Sequence, residues 1–282
     1  MVNQTEIKDN RVLAIIAAVA GILCFTILPF ASMRAMDAVL KGAALKLQVT
    51  GNPMLASAPK IVITFWPLWG GLSMAAGVAL LYIAWVLHKG EHWARPMAIG
   101  LLAIPSITGA YFAGPIIFFD KSAILYFLII SFIGLVPYFT ILLWGHAPAG
   151  EKWRKFLIFL LLGVVAAWSF SNGGSALRMF MARSDPYGLT TGHYGFLFGI
   201  PVVWIGVLLT IVSIPLLAAY SQRGRRLAVV GLMITLVGSA LLFVTNPATT
   251  EFLIGMVLVS VNLVLLMIPS IGGRLVREKT NA

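Results

Sequence analysis

The sequence predicts an all-α integral membrane protein: eight transmembrane helices in two parallel-repeat four-helix bundles, with both termini cytoplasmic. Three observations lead there. The chain of 282 residues is 60% hydrophobic and only 10% charged, with a mean hydropathy of +0.97. Its apolar residues fall in several runs of about 18 or more, long enough to cross a bilayer. Those runs are apolar all round, which fits neither an amphipathic soluble core nor a barrel with alternating faces. Backbone in lipid must satisfy its hydrogen bonds within each segment, so the spans are helices.

The spans read, in order, 12–31, 61–87, 97–118, 122–144, 156–171, 195–219, 227–245 and 252–271. The first is long and no small-x-small cleavage site follows it, so it is a retained span and not a leader. Short basic connections alternate with less basic ones. Lys8, Arg11, HKGEHWARP (88–96), GHAPAGEKWRK (145–155), SQRGRR (221–226) and the tail place 13 Lys and Arg on one side. The other side holds 7, spread over two longer loops: Arg34, Lys41, Lys46, Lys60, Lys121, Arg178 and Arg183. The positive-inside rule puts the basic side in the cytoplasm. The chain then divides into a tail (1–11), a first bundle (12–145), a linker (146–155), a second bundle (156–271) and a tail (272–282).

Each half repeats one plan of spans and loops. AIGLLAIPSITGAYFAGP (98–115) is similar to AVVGLMITLVGSALLFVTNP (228–247), and LVP (135–137) answers MIP (267–269). SMRAM (32–36) echoes SALRMFM (175–181). Four spans per half give both copies the same orientation, a parallel repeat.

The net charge of +11 is accounted for by topology and a preference for anionic lipid, so nucleic acid is not an expected partner. The single cysteine, Cys24, lies inside the first span and forms no disulfide framework. No metal-ligand spacing, nucleophile-plus-base motif or phosphate-binding glycine loop is present. Haem is not expected: His88, His92 and His146 lie on the inner side and His193 on the outer, so no pair shares one depth. Ionisable residues are missing from the middle of every span, which argues against a proton- or ion-coupled transporter. Within the membrane, Gly71, Ala75 and Ala79 offer a close helix contact. Asn262 is expected to make an interhelical hydrogen bond.

Polar groups concentrate in SALRMFMARSDPYGLTTGHYG (175–195). This stretch is either an ordinary solvated loop or a site. As a site, His193, Tyr194, Tyr187 and Asp185, with Asp120 and Glu251 at the short outer loops, would bind the headgroup of a quinone. Histidine exchanges protons near neutral pH, and tyrosine and carboxylates hydrogen-bond ring oxygens. Arg178, Arg183 and Arg34 would dock a partner.

Eight spans without a haem-ligand pattern, with polar outer loops, resemble a family of membrane anchors. These are the polysulfide reductase C, NrfD-like and DMSO reductase C type subunits of molybdopterin oxidoreductases. FWPLWGGLSMAAGVALL (65–81) is similar to their glycine-rich span, and SMRAMDAVL and ALRMFMARSDPYGL to their outer arginine segment. The resemblance implies a quinol- or quinone-binding subunit, with menaquinone or ubiquinone as ligand and no haem. It also implies an iron–sulfur subunit and a catalytic subunit docked on the outer face of the cell inner membrane. A structural or assembly subunit of a respiratory or oxygenase complex is the first alternative. A transporter of a neutral or hydrophobic solute is the second.

Overall fold

The computed structural model describes residues 4–52, 55–182 and 191–273, with the side chains of 9–52, 55–182 and 194–273. Eight helices follow one another: α1 (Gln4–Thr50), α2 (Ala58–His88), α3 (Ala94–Phe119), α4 (Ile124–Leu143), α5 (Ala149–Met181), α6 (Thr191–Ala218), α7 (Gln222–Thr245) and α8 (Thr250–Met267). A 3₁₀ turn, Lys121–Ala123, opens α4. Each helix is long and apolar enough to cross a membrane, and there is no strand among the described residues. The architecture is that of a multi-pass membrane protein. Its outward side chains agree, with Phe132 68% and Leu208 60% exposed, because lipid does not penalise apolar surface.

The helices outrun the expected spans. α1 has 47 residues, about 70 Å at 1.5 Å per residue, against about 30 Å of hydrocarbon. The segment 32–50, expected as loop, is helix. It is rich in Ala, Leu, Met and Lys, and Lys41 pairs with Asp37 one turn back at 2.7 Å. Only at Gly51, with φ +61°, does the chain turn away. α5 likewise runs from Ala149 to Met181, so most of the linker and the start of the polar stretch are helical. Hydropathy marks where a helix lies in lipid, and helix formers decide where it ends.

Contacts close two circuits. In one, α1 packs on α2 and α4, while α3 packs on α2 and α4; in the other, α5 packs on α6 and α8, while α7 packs on α6 and α8. α3 lies against α5 and α6, and α2 also reaches α5. Small residues set the close crossings, but not the expected ones. On α2 it is Gly77, not Gly71, that meets α1: a methyl there would stand 2.8 Å from the Cys24 Cβ. Gly71 has open space around it and Ala75 is exposed.

Between the circuits lies a block of interlocked rings. Phe170 meets Phe65, Trp69 and Tyr111 edge to face, with centroids 5.1–5.4 Å apart, and Trp204 stacks on it at 5.5 Å. Trp66 stacks on Phe112 and donates to the Ser32 carbonyl at 2.9 Å. Asn262, fully buried in α8, departs from expectation. Neither amide atom has a partner among the described residues.

Candidate functional site

Three of the expected site residues stand at helix ends of the α5–α8 circuit. Arg178 is in the last turn of α5 and Glu251 in the first turn of α8. The charge of Glu251 acts on the half-buried Arg178 guanidinium. The Glu251 carbonyl accepts hydrogen bonds from the Trp168 indole at 3.1 Å and the Asn172 amide at 3.2 Å, which ties α8 to α5. Tyr194 is in the first turn of α6 and 47% exposed. Arg183, Asp185 and Tyr187 lie outside the described residues, as does the side chain of His193.

Asp120 and Arg34 belong to the other circuit and serve local ends there. The Asp120 carboxylate accepts the Ser122 backbone N–H at 2.9 Å, which starts the 3₁₀ turn. α1 passes close by: Lys46 donates to the Phe118 carbonyl and sits 3.9 Å above the Phe118 ring. Arg34 is exposed on α1, 5.2 Å from the Phe30 ring centre.

The opposite helix ends carry the basic connections, and two arginines do the same work there. Arg95, in the first turn of α3, donates to the carbonyls at the end of α4. Its Nε and Nη2 reach Ile141 at 3.1 and 2.9 Å, and Nη2 reaches Trp144 at 2.6 Å. Arg225, in the first turn of α7, donates to the end of α8, reaching Leu266 at 2.9 Å and Met267 at 3.2 Å. The last carbonyls of a helix have no partner within it, and a guanidinium supplies both hydrogen bonds and the favourable charge.

Beside Arg95 a cavity of about 650 Å³ opens among the ends of α3, α4, α5 and α6. Ile99, Leu142, Phe159 and Leu217 form its apolar wall; Arg95, Lys155, His92 and Tyr220 supply the polar groups. Lys155, only 9% exposed, donates to the Tyr220 hydroxyl at 2.6 Å and is paired with Glu151 one turn back. A buried ammonium needs such partners, because burial without them is costly.

Tyr220 holds an unusual backbone conformation. Its φ is +55°, the left-handed region that favours glycine. It occupies the position after the end of α6 where the Tyr220 N–H meets the Leu217 carbonyl and the Ser221 N–H the Leu216 carbonyl. This is the Schellman ending, which normally takes glycine. α2 ends in the same way: Gly90, with φ +82°, donates to Leu87 and Glu91 donates to Val86. A tyrosine in this conformation costs on the order of 1 kcal/mol. What it gains is the placement of its hydroxyl on Lys155.

Sequence reasoning treated Lys155 and Arg95 only as topological charge and passed over Tyr220. A signal was there. Gly90 and Tyr220 stand 130 positions apart, as do Arg95 and Arg225, and as do Ala98 and Ala228, which open the two similar strings. His88, His92 and His146 are exposed at this same end. No family model, curated protein or solved structure matches this chain.

Proposed function

We propose that the chain is the membrane anchor subunit of a redox complex, binding quinol or quinone and linking it to an iron–sulfur partner on the outer face. The observation that carries this reading is the nearness of Arg178 and Glu251 at the end of α5 and start of α8, with half-exposed Tyr194 in the first turn of α6. The donor set fits a quinone. Guanidinium and phenol donate to ring oxygens, and a carboxylate accepts from a ring hydroxyl. The bound ring would supply the redox chemistry; the chain's own residues hold and orient it. His193 and Tyr187 complete the set in this proposal.

The finer topology belongs to the same reading: both termini in the cytoplasm, in a cell inner membrane, with two parallel copies of a four-helix unit. Two equivalences at one spacing support the duplication, the capping arginines Arg95 and Arg225 and the helix endings at Gly90 and Tyr220.

The test is purification of the native assembly through a tag on this chain, followed by quinone extraction and turnover. His193→Ala is expected to lower quinone content and quinone-linked turnover with assembly intact. Arg178→Ala is expected to weaken assembly. Wild-type quinone content and turnover in His193→Ala would overturn the assignment, as would an assembly that contains no quinone at all.

A further inference from the structure

The cavity at the basic end plays no part in the reading above, and its chemistry points elsewhere. Arg95, Lys155 and His92 line it, and among the described residues no carboxylate does. Its polar groups lie at the ends of four membrane-spanning helices, the depth at which lipid headgroups sit, and its other wall is apolar. A volume of about 650 Å³ suits a headgroup together with the start of an acyl chain.

We propose that this cavity binds a phosphate group, held by Arg95, Lys155 and Tyr220. Arg95 is already oriented, since Nε and Nη2 are fixed on the carbonyls of α4, and Nη1 stands outside those bonds. A guanidinium held in this way is suited to phosphate oxygens. The Tyr220 oxygen accepts from Lys155, so the hydroxyl hydrogen is available as a further donor. Two carboxylates temper the charge: Glu151 pairs with Lys155, and Asp9 acts on Arg95. Recognition therefore rests on aligned donors more than on net charge, which favours phosphate over a diffuse anion.

The backbone of Tyr220, itself a lining residue, is a second observation. The equivalent helix ending at Gly90 uses the residue that the conformation favours; this one keeps a tyrosine whose hydroxyl reaches the cavity lysine. Of these two matching endings, local stability is given up at the one whose left-handed residue lines the cavity. That pattern is expected where a side chain serves binding.

The experiment uses the full chain in neutral detergent, with intrinsic tryptophan fluorescence following thermal unfolding. Three additions are compared: phosphatidylglycerol, diacylglycerol, which has the same acyl chains and no phosphate, and inorganic phosphate. Native mass spectrometry counts retained lipid. For the wild type, phosphatidylglycerol is expected to raise Tm by several degrees and to be retained, with a much smaller shift from diacylglycerol. A shift from inorganic phosphate without one from phosphatidylglycerol would assign the same site to a soluble phosphate compound. Tyr220→Gly is the decisive variant. Glycine suits the backbone but takes a partner from Lys155, so binding is read as the shift from the variant's own ligand-free Tm, and it should be about tenfold weaker. Tyr220→Phe should lose affinity while keeping the wild-type backbone. Equal shifts from both lipids and none from phosphate would overturn the proposal. So would wild-type phosphate or phosphatidylglycerol affinity in both Tyr220 variants.

Discussion

The Arg95 guanidinium in α3 donates to the Trp144 carbonyl just past the end of α4 at 2.6 Å, closing a helix end that would otherwise leave buried oxygens unpaired. The same side chain serves the carbonyls of Ile141 and Leu142. Arg95→Leu is therefore expected to cost about 2–4 kcal/mol, the loss of charged hydrogen bonds plus the penalty on the abandoned carbonyls. Arg225→Leu, which frees two carbonyls near the surface, should cost about half as much. Unfolding of the purified variants in detergent measures both. The opposite ranking would mean that the α8 ending matters more than its hydrogen bonds indicate.

The glycines give a second, graded test. A methyl on Gly134 would stand 2.6 Å from the Ser106 backbone nitrogen, so Gly134→Ala should lose about 1–3 kcal/mol by forcing α3 and α4 apart. Gly71, which has nothing within 4 Å, should accept alanine with a gain of up to about 1 kcal/mol. Paired thermal melts decide it. Equal losses at the two positions would contradict the assigned packing face of α2.

Asn262→Leu is expected to raise stability by about 1 kcal/mol, since the buried amide has no partner among the described residues and leucine removes its desolvation cost. A clear loss of stability in this variant would show that the amide bonds to something in the folded protein.

Topology is tested with cysteine reporters on a chain whose own Cys24 is fully buried. Lys89→Cys, Gly150→Cys and Gln222→Cys should be shielded from impermeant thiol reagents in intact cells, and Gln48→Cys and Asp185→Cys should label. Positions 90 and 224 are poor choices. Gly90 has φ +82°, and a side chain on Gly224 would strike the Leu216 carbonyl carbon at 2.5 Å. The reverse pattern would invert the orientation.

Sequence reading found all eight helices because a run of lipid-compatible residues is a one-dimensional signal. It missed how far α1 and α5 continue, since hydropathy falls at the membrane boundary while helix propensity does not. It picked Gly71 on spacing alone, and spacing cannot say which face of an apolar helix meets a neighbour. Arg178 and Glu251, both expected on the outer side, stand close enough for the charge of one to act on the other. Asp120 was grouped with them although it caps a turn in the other circuit, because loop order carries no lateral position. Tyr220 was invisible as a site residue. A positive φ is a property of the folded ending, and only the match to Gly90 betrays it.

The aromatic block between the circuits has a mechanical consequence. Alternating access needs two halves that slide or rock past one another around a central site. Here Phe170 is wedged among Phe65, Trp69, Tyr111 and Trp204, whose ring faces and edges mesh at several angles. Sliding either circuit by a fraction of a helical turn would part all of these contacts at once. The seam behaves as a keyed joint, which holds the two circuits steady against one another.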